Sequence, residues 1–384
     1  MTKFNILRRQ NRAEEAFKSL EEYNEEYASP QVLTMLGDYA MGMYDDSLAL
    51  ARYDAALGID SDFAPAMLGK AEAYRVIRNY PAYFKLVNKF AGSRNVPVSA
   101  KADYFQAVVR QADKKFLKSF KDQYDTTFDV SLKVHPEDSA MLQAAGLYYF
   151  MTDRSDLAIK SFRKVRDLHP DSPVSYADYI QLLIYDKNWQ AVVAASDSAF
   201  VKFPNIPSFL EMANVGQFNL ENYEGIIANC KKMLACAPND SSVFVSALST
   251  MGDMYHQLGD KKKAFSAYNM LLKRVPDYAP VLNNYAYYLS VEGKNLKKAY
   301  LMSKKTIEME PDNATYLDTF GWILYLQGKP EEAKPYFKHA MLYGGKDSAT
   351  VLEHYAKVLE AVGDDDLAKV YYQQAVSKRK EGKE

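Results

Sequence analysis

Residues 245–277 read VSALSTMGDMYHQLGDKKKAFSAYNMLLKRVPD. The first half of this stretch places apolar or small residues at i, i+3, i+4 and i+7, the spacing of one face of an amphipathic helix. These positions are held by Leu248, Met251, Gly252 and Tyr255. Gly259 then interrupts the pattern, because glycine suits the position after a helix where φ turns positive. A second apolar stripe follows and ends at Pro276, so the stretch predicts a hairpin of two helices.

The same pattern recurs along the chain with a period of 34 residues or slightly more. Units of this kind start near residues 30, 64, 139, 173, 207, 245, 279, 314 and 349. A lengthened, degenerate unit occupies the stretch 100–136. Since a single hairpin cannot bury its apolar stripe, each unit must pack against the next. The sequence therefore predicts an all-α fold of stacked antiparallel helix hairpins, with about ten repeats.

Two kinds of residue keep the same phase from repeat to repeat. Small residues stand where two helices approach closely, at Gly37, Gly146, Gly252 and Gly321 on the first helix and at Ala49, Ala158, Ala264 and Ala333 on the second. The second helix is followed by a proline at Pro136, Pro170, Pro204, Pro238, Pro276 and Pro311. Because proline disfavours helical geometry in the residue before it, each second helix is predicted to end just ahead of its proline.

Small residues twelve apart, an aromatic residue four positions after the second, and the terminal proline resemble the tetratricopeptide repeat, most fully in the units from 139, 245 and 314. The resemblance covers roughly residues 30–380 and implies a right-handed superhelical solenoid. The units from 64, 100 and 207 depart from the family pattern. Tyr83 or Tyr124 stands where a small residue is usual, and Gly225-Ile226 stands where alanine is expected.

The chain is expected to contain four segments. Residues 1–29 form an N-terminal helix or a truncated repeat, 30–136 the N-terminal repeats with the degenerate unit, 137–238 the middle repeats, and 239–384 the C-terminal repeats with an end helix. Two connections are predicted to be long, the Lys-rich one at 114–121 and the one at 239–244. Pro335 lies inside a predicted second helix and is expected to kink it.

Three C-terminal stretches carry a narrower likeness: APVLNNYAYYLSVEGKNLKKA, ATYLDTFGWILYLQGKPEEA and ATVLEHYAKVLEAVGDDDLA. They look like long tetratricopeptide proteins of Bacteroidota, which commonly carry a lipoprotein signal. This resemblance implies a place on the periplasmic side of the envelope, anchored to the outer membrane in the full-length precursor. A cytoplasmic place follows instead if no signal lies upstream.

The composition argues against several classes of activity. Lys+Arg at 48 against Asp+Glu at 49 gives a net charge of −1, without the basic excess typical of nucleic-acid-binding proteins. No apolar run reaches the 18 residues that a membrane span requires, and the two cysteines lack the CxxC spacing of metal or redox sites. Gly344-Gly345-Lys346 fails the phosphate-loop pattern and is predicted to be a turn. We therefore expect no catalytic, metal or cofactor site, and no enzymatic activity.

The family resemblance implies that the first helix of each hairpin lines a concave groove. In the last four repeats, the groove positions fall on Asp253, His256, Asn283, Tyr287, Asp318, Trp322, Tyr325, Glu353 and Lys357. Trp322 and Tyr325 fit the composition of interface hot spots, although packing against a neighbouring first helix would also explain them. These residues predict a mildly acidic, aromatic surface that prefers an extended or helical peptide with apolar and basic side chains.

The sequence thus favours a non-enzymatic scaffold or adaptor that holds a protein or peptide partner, within a cell-envelope assembly if the narrower resemblance applies. The alternative is a structural solenoid that associates with itself or serves as a spacer. An enzyme whose site is assembled across repeats ranks third. The partner's identity and the oligomeric state stay open.

Overall fold

The computed structural model describes residues 2–10 and 12–381. Within them it contains 23 α-helices, one 3-10 turn and no β-strand. Two compact units divide the chain, Met1–Asn188 and Trp189–Glu384. One helix is only six residues long, and most of the others pair as the two helices of successive hairpins. This arrangement confirms the predicted all-α fold of helix hairpins. The predicted division into four segments stays a prediction.

The first unit begins with a hairpin of two helices inside the segment 1–29 and continues in the same manner. Its helices are α1 (Thr2–Arg9), α2 (Ala13–Glu26), α3 (Pro30–Gly42), α4 (Asp46–Ile59), α5 (Ala64–Val76), α6 (Tyr80–Gly92), α7 (Val98–Gln111), α8 (Lys114–Ser119), α9 (Lys121–Val134), α10 (Ser139–Met151), α11 (Ser155–Leu168) and α12 (Pro173–Tyr185). Helices α1 and α2, α3 and α4, α5 and α6, and α10 and α11 pack as hairpins.

The second unit is more regular. Its helices are α13 (Trp189–Lys202), α14 (Ser208–Asn219), α15 (Tyr223–Cys236), α16 (Ser241–Gln257), α17 (Lys261–Arg274), α18 (Ala279–Val291), α19 (Leu296–Met309), α20 (Ala314–Leu326), α21 (Pro330–Leu342), α22 (Ala349–Ala361) and α23 (Asp365–Glu381). From α14 onward, each first helix packs on its second helix and each second helix on the next first helix. The predicted turn at Gly344 is present, and a 3-10 turn, Gly345–Asp347, follows it.

The predicted helix ends are confirmed. Helices α9, α11, α13, α15, α17 and α19 each end two residues before one of the six phased prolines. Pro335 lies inside α21, which continues through it as one helix.

Glycines of the first helices lie against aromatic rings of the second helices. A Cβ added at Gly252 would come within 2.1 Å of the Tyr268 ring, and one added at Gly321 within 2.7 Å of the Phe337 ring. Gly37 with Tyr53 and Gly146 with Phe162 repeat this contact. Since the ring needs the space that a side chain would take, each of these pairs sets the distance between the two helices of its hairpin.

The turn inside most hairpins contains at least one residue in the left-handed region. In the last four hairpins glycine can supply it, at Gly259, Gly293, Gly328 and Gly363. In earlier hairpins the corresponding residue carries a side chain, as in Tyr44, Arg78, Asp153, Lys187 and Glu221. The sequence pattern indicated only the glycine version, because left-handed backbone is uncommon for other residues.

Both connections that the sequence predicts to be long are partly helical. Helix α16 begins at Ser241 because the Asp240 side chain accepts hydrogen bonds from the backbone N–H groups of Ser242 and Val243. The additional residues of this repeat therefore lengthen a first helix. In the Lys-rich stretch, Asp113 accepts from Lys115 N and starts the short helix α8, whose Leu117 is fully buried.

The degenerate part of unit 1 is held together by aromatic rings. Tyr83 and Tyr124 occupy positions where a small residue was expected, and both are 1% exposed. Here α6 packs on α9 and α7 packs on α10. Phe105 of α7 contacts Phe128 of α9 with ring centroids 5.1 Å apart. Large rings thus replace the close helix contacts of the other repeats.

Candidate functional site

The predicted groove residues lie on α16, α18, α20 and α22, the first helices of the last four hairpins. Helix α20 packs on both α18 and α22. Helices α16 and α18 are joined by a hydrogen bond from Asn284 Nδ2 to Asp253 Oδ1 at 3.1 Å and by stacking of His256 on Tyr288 with ring centroids 3.4 Å apart. The four first helices therefore form one row, as expected for a groove lining.

An aromatic group occupies the C-terminal part of this row. The Trp322 ring is stacked on His354 at 4.0 Å and on Tyr325 at 5.0 Å between centroids. The Lys357 ammonium lies 5.5 Å from the Trp322 ring centroid, and the Tyr287 ring lies 6.4 Å from His354. We call Tyr287, Trp322, Tyr325, His354 and Lys357 the C-terminal aromatic cluster. All but His354 are partly exposed, so packing and solvent exposure occur together in this cluster.

The sequence pattern does not predict His354 as a site residue. In the structure this residue holds the Trp322 ring of the cluster in place. Its Nδ1–H donates to Asp318 Oδ1 at 2.9 Å, and the two residues are only 7% and 5% exposed. This buried pair holds the imidazole ring against Trp322. Asp318 was predicted to point into the groove, but the structure places it beneath the surface, where it orients His354. No sequence signal distinguished His354 from an ordinary position of the helix.

Asn283 is a second predicted groove residue that does not reach the surface. It is 4% exposed, and its side-chain oxygen has no hydrogen-bond partner among the residues that the structure describes. A buried side-chain acceptor without a partner is costly. Because Asn283 is buried, a partner at this surface would not reach its side chain.

The expected acidic character of the groove is largely absent, because the described carboxylates are already paired. Glu353 Oε1 lies 2.9 Å from Lys357 Nζ, and Arg379 bonds the other oxygen. These cations, Lys357 first, lower the pKa of Glu353. Asp253 accepts from the hydroxyl of Tyr268 and from Asn284, and its burial raises its pKa. The surface is thus aromatic with compensated charges.

His256 gives the groove a pH dependence. Burial, chiefly, lowers its pKa below the ordinary value of 6.5, with Lys261 adding to the shift and Glu292 and Asp253 opposing it. As the pH falls through about 6.5, the unfolded chain therefore binds more protons at His256 than the folded chain does. The contribution of neutral His256 to the stability of the fold is lost over this range. We expect His256→Gln to lose less thermal stability than wild type between about pH 7.5 and 5.5.

Thermal melts of the two proteins at both pH values measure this difference. His135, whose pKa burial and Lys101 also lower, contributes equally to both proteins and cancels. Identical pH profiles for wild type and His256→Gln would contradict the assignment.

Two other kinds of feature are absent from the residues that the structure describes. Across 2–10 and 12–381, no three His, Cys, Asp or Glu side chains converge in a way that could hold a metal ion. In the same residues, no helix combines the length and the apolar character that crossing a bilayer requires.

Solved structures with similar folds include other helical-repeat proteins. A tetratricopeptide repeat protein from Parabacteroides merdae is 16% identical, with a TM-score of 0.50 over 62% of this chain and 93% of its own. Yeast Tom70 is 14% identical, with a TM-score of 0.44 over 98% of this chain and 90% of its own. The Cut9–Hcn1 hetero-tetramer of the APC/C contains a chain that is 12% identical, with a TM-score of 0.44 over 98% and 86%.

Among curated protein sequences, none matches this chain. The family described as tetratricopeptide repeat matches residues 152–381, which is more than half of the sequence. The match covers the phased prolines from Pro170 onward and the Gly252 and Gly321 contacts, which are the features that define the hairpin in the structure. The chain therefore belongs to the tetratricopeptide repeat family.

Proposed function

We propose that the chain is a non-enzymatic scaffold that holds a protein or peptide partner against the C-terminal aromatic cluster. Tetratricopeptide repeats generally mediate protein–protein interaction. The single observation that carries the proposal is Trp322, which is held in place by stacking on His354 and Tyr325 while part of it stays exposed. Ordered aromatic side chains give a large contact area at a low entropic cost.

The chemistry of the cluster indicates what a partner would present. The indole N–H of Trp322 has no acceptor among the described residues, so a carbonyl oxygen of the partner would satisfy it. The rings favour an apolar side chain. Glu353 is already paired with Lys357 and Arg379. Its carboxylate is therefore not available to the basic side chains that the sequence analysis expects in the partner. We therefore propose a peptide segment that is recognised through its apolar side chains.

A double substitution tests the proposal. Trp322→Ala/Tyr325→Ala removes the two exposed rings, and we expect the affinity for the partner to fall at least about tenfold. The partner would be recovered by crosslinking the full-length protein in its own cells, and binding of the purified partner would be measured by calorimetry. Thermal melting confirms that the variant stays folded.

The matched control lies in the first unit. Phe150 and Tyr185 form another aromatic pair on first helices, with ring centroids 4.5 Å apart, so Phe150→Ala/Tyr185→Ala should bind normally. Unchanged affinity in the C-terminal variant, or equal losses in both, would contradict the proposal. If the cluster instead mediates self-association, the C-terminal variant alters sedimentation of the isolated chain.

We further propose that this partner is a component of a cell-envelope assembly. The support is the resemblance of residues 279–299, 314–333 and 349–368 to Bacteroidota proteins that carry a lipoprotein signal. Fractionation of the native cells should then recover the crosslinked complex with the envelope, and recovery from the cytosol would refute this part.

A further inference from the structure

The degenerate part of unit 1 contains a cavity of about 550 Å³. Helix α5 contributes Glu72 and Arg75 to its lining, α6 contributes Tyr83, and α9 contributes Tyr124. Tyr104, Ala107 and Val108 line it from α7, and Phe116 lines it from α8. We call this space the tyrosine cavity. It arises where Tyr83 and Tyr124 replace the small residues that bring helices together elsewhere. Its volume lies within the range of small-molecule sites.

Three phenol hydroxyls meet at the tyrosine cavity. Tyr83 Oη lies 2.9 Å from Tyr104 Oη and 3.4 Å from Tyr124 Oη. Each hydroxyl has one proton to donate, and the two contacts use two of the three protons. Among the described residues, no further acceptor bonds Tyr104 or Tyr124. One hydroxyl proton is therefore left to donate, and burial raises the pKa of all three phenols, which keeps them protonated.

The charges around the cavity disfavour an anionic occupant. Arg75 is already paired with Glu72 through two hydrogen bonds, at 2.7 Å and 2.5 Å. Asp113, which also lines the cavity, adds a second carboxylate. The lining therefore carries two carboxylates and one guanidinium, and an anion would meet a net negative charge. The remaining lining from Ala107, Val108 and Phe116 is apolar.

We propose that the tyrosine cavity binds a small, neutral and largely apolar molecule that presents a carbonyl-type oxygen to the phenol hydroxyls. The site is separate from the C-terminal aromatic cluster and does not depend on the scaffold function. Helix α8 forms one wall of the site. The Lys114 and Lys118 ammonium groups of α8 both pair with Asp153 in the turn after α10, which holds Phe116 at the cavity. A bound molecule would therefore stabilise this irregular segment.

Prodan is a suitable probe, since it is a neutral naphthalene ketone whose emission shifts to the blue in apolar surroundings. We expect one molecule to bind per chain with a dissociation constant on the order of 100 µM, which its size alone allows. N,N-dimethyl-2-naphthylamine, which lacks the carbonyl group, should compete about threefold to tenfold more weakly, because it offers no carbonyl oxygen to the phenol hydroxyls.

Two variants localise the binding. Val108→Trp fills the cavity and should abolish the prodan signal, whereas Val174→Trp, at a position of the same unit that is 64% exposed, should leave it unchanged. The variant Tyr83→Phe/Tyr104→Phe/Tyr124→Phe keeps the rings and should bind both probes equally. Circular dichroism checks folding. No binding by wild type, full binding by Val108→Trp, or equal binding of the two probes by wild type would overturn the proposal.

Discussion

Phe128→Ala is expected to lower the free energy of unfolding of the first unit by about 3–5 kcal/mol. Phe128 is fully buried in α9. Its ring lies 4.6 Å from the Tyr148 ring and 5.1 Å from the Phe105 ring, measured between centroids. Because these rings keep the helices apart, the helices cannot close up over the space that the substitution leaves. Most of the cost of a cavity would therefore remain.

The effect should also be local. In a repeat protein each unit contacts mainly its neighbours, so stability is distributed along the chain and a single unfolding transition is not assured. Hydrogen exchange followed by mass spectrometry measures the local stability of each segment. We expect residues 80–150 to lose protection in Phe128→Ala while residues 300–380 keep it.

Phe218→Ala serves as the control, since Phe218 is 55% exposed and its removal should cost little. Protection lost equally throughout the chain would contradict local unfolding. If Phe128→Ala lowers the free energy of unfolding by less than about 1 kcal/mol, the helices close over the space that the ring leaves.

The repeat architecture could be predicted from the sequence because packing leaves a periodic record. Each phased proline ends a second helix, and Gly252 and Gly321 lie against Tyr268 and Phe337 as close helix contacts require. These are local rules that act in every repeat, and one well-preserved unit is enough to reveal them.

The features that escaped prediction depend on contacts between repeats or on capping. Asp240 caps α16, which starts earlier than the repeat pattern indicates, and Asp113 caps α8. The sequence pattern predicts a connection in both stretches. At the candidate site, Trp322 and Tyr325 are partly exposed, and their place in a binding groove stays a prediction. The burial of Asp318 was not foreseen, because it depends on His354, which lies 36 residues away in the next repeat. The pairing of Glu353 with Arg379 was not predicted either, because Arg379 lies 26 residues away in α23, the second helix of the same hairpin.

Gly252→Val should destabilise the second unit by about 3 kcal/mol, the upper part of the range for overpacked cores. The new Cβ would come within 2.1 Å of the Tyr268 ring. This ring cannot easily move away, because Tyr268 is fully buried and its hydroxyl donates to Asp253. The substitution must therefore push α16 and α17 apart, break the Tyr268–Asp253 hydrogen bond, or both.

Gly58→Val is the matched control for the change of residue type. Gly58 lies within α4, and an added Cβ would meet nothing within 4 Å. Valine there should change the stability by less than about 0.5 kcal/mol, because glycine and valine are both poor helix formers. Urea denaturation measures the stability of both variants, and hydrogen exchange follows α16 and α17 in Gly252→Val and α3 and α4 in Gly58→Val. Similar stabilities for the two would mean that the Gly252–Tyr268 contact does not set the spacing of this hairpin. A large loss in Gly252→Val alone would show that it does, and the hairpin at Gly321 and Phe337 should then respond in the same way.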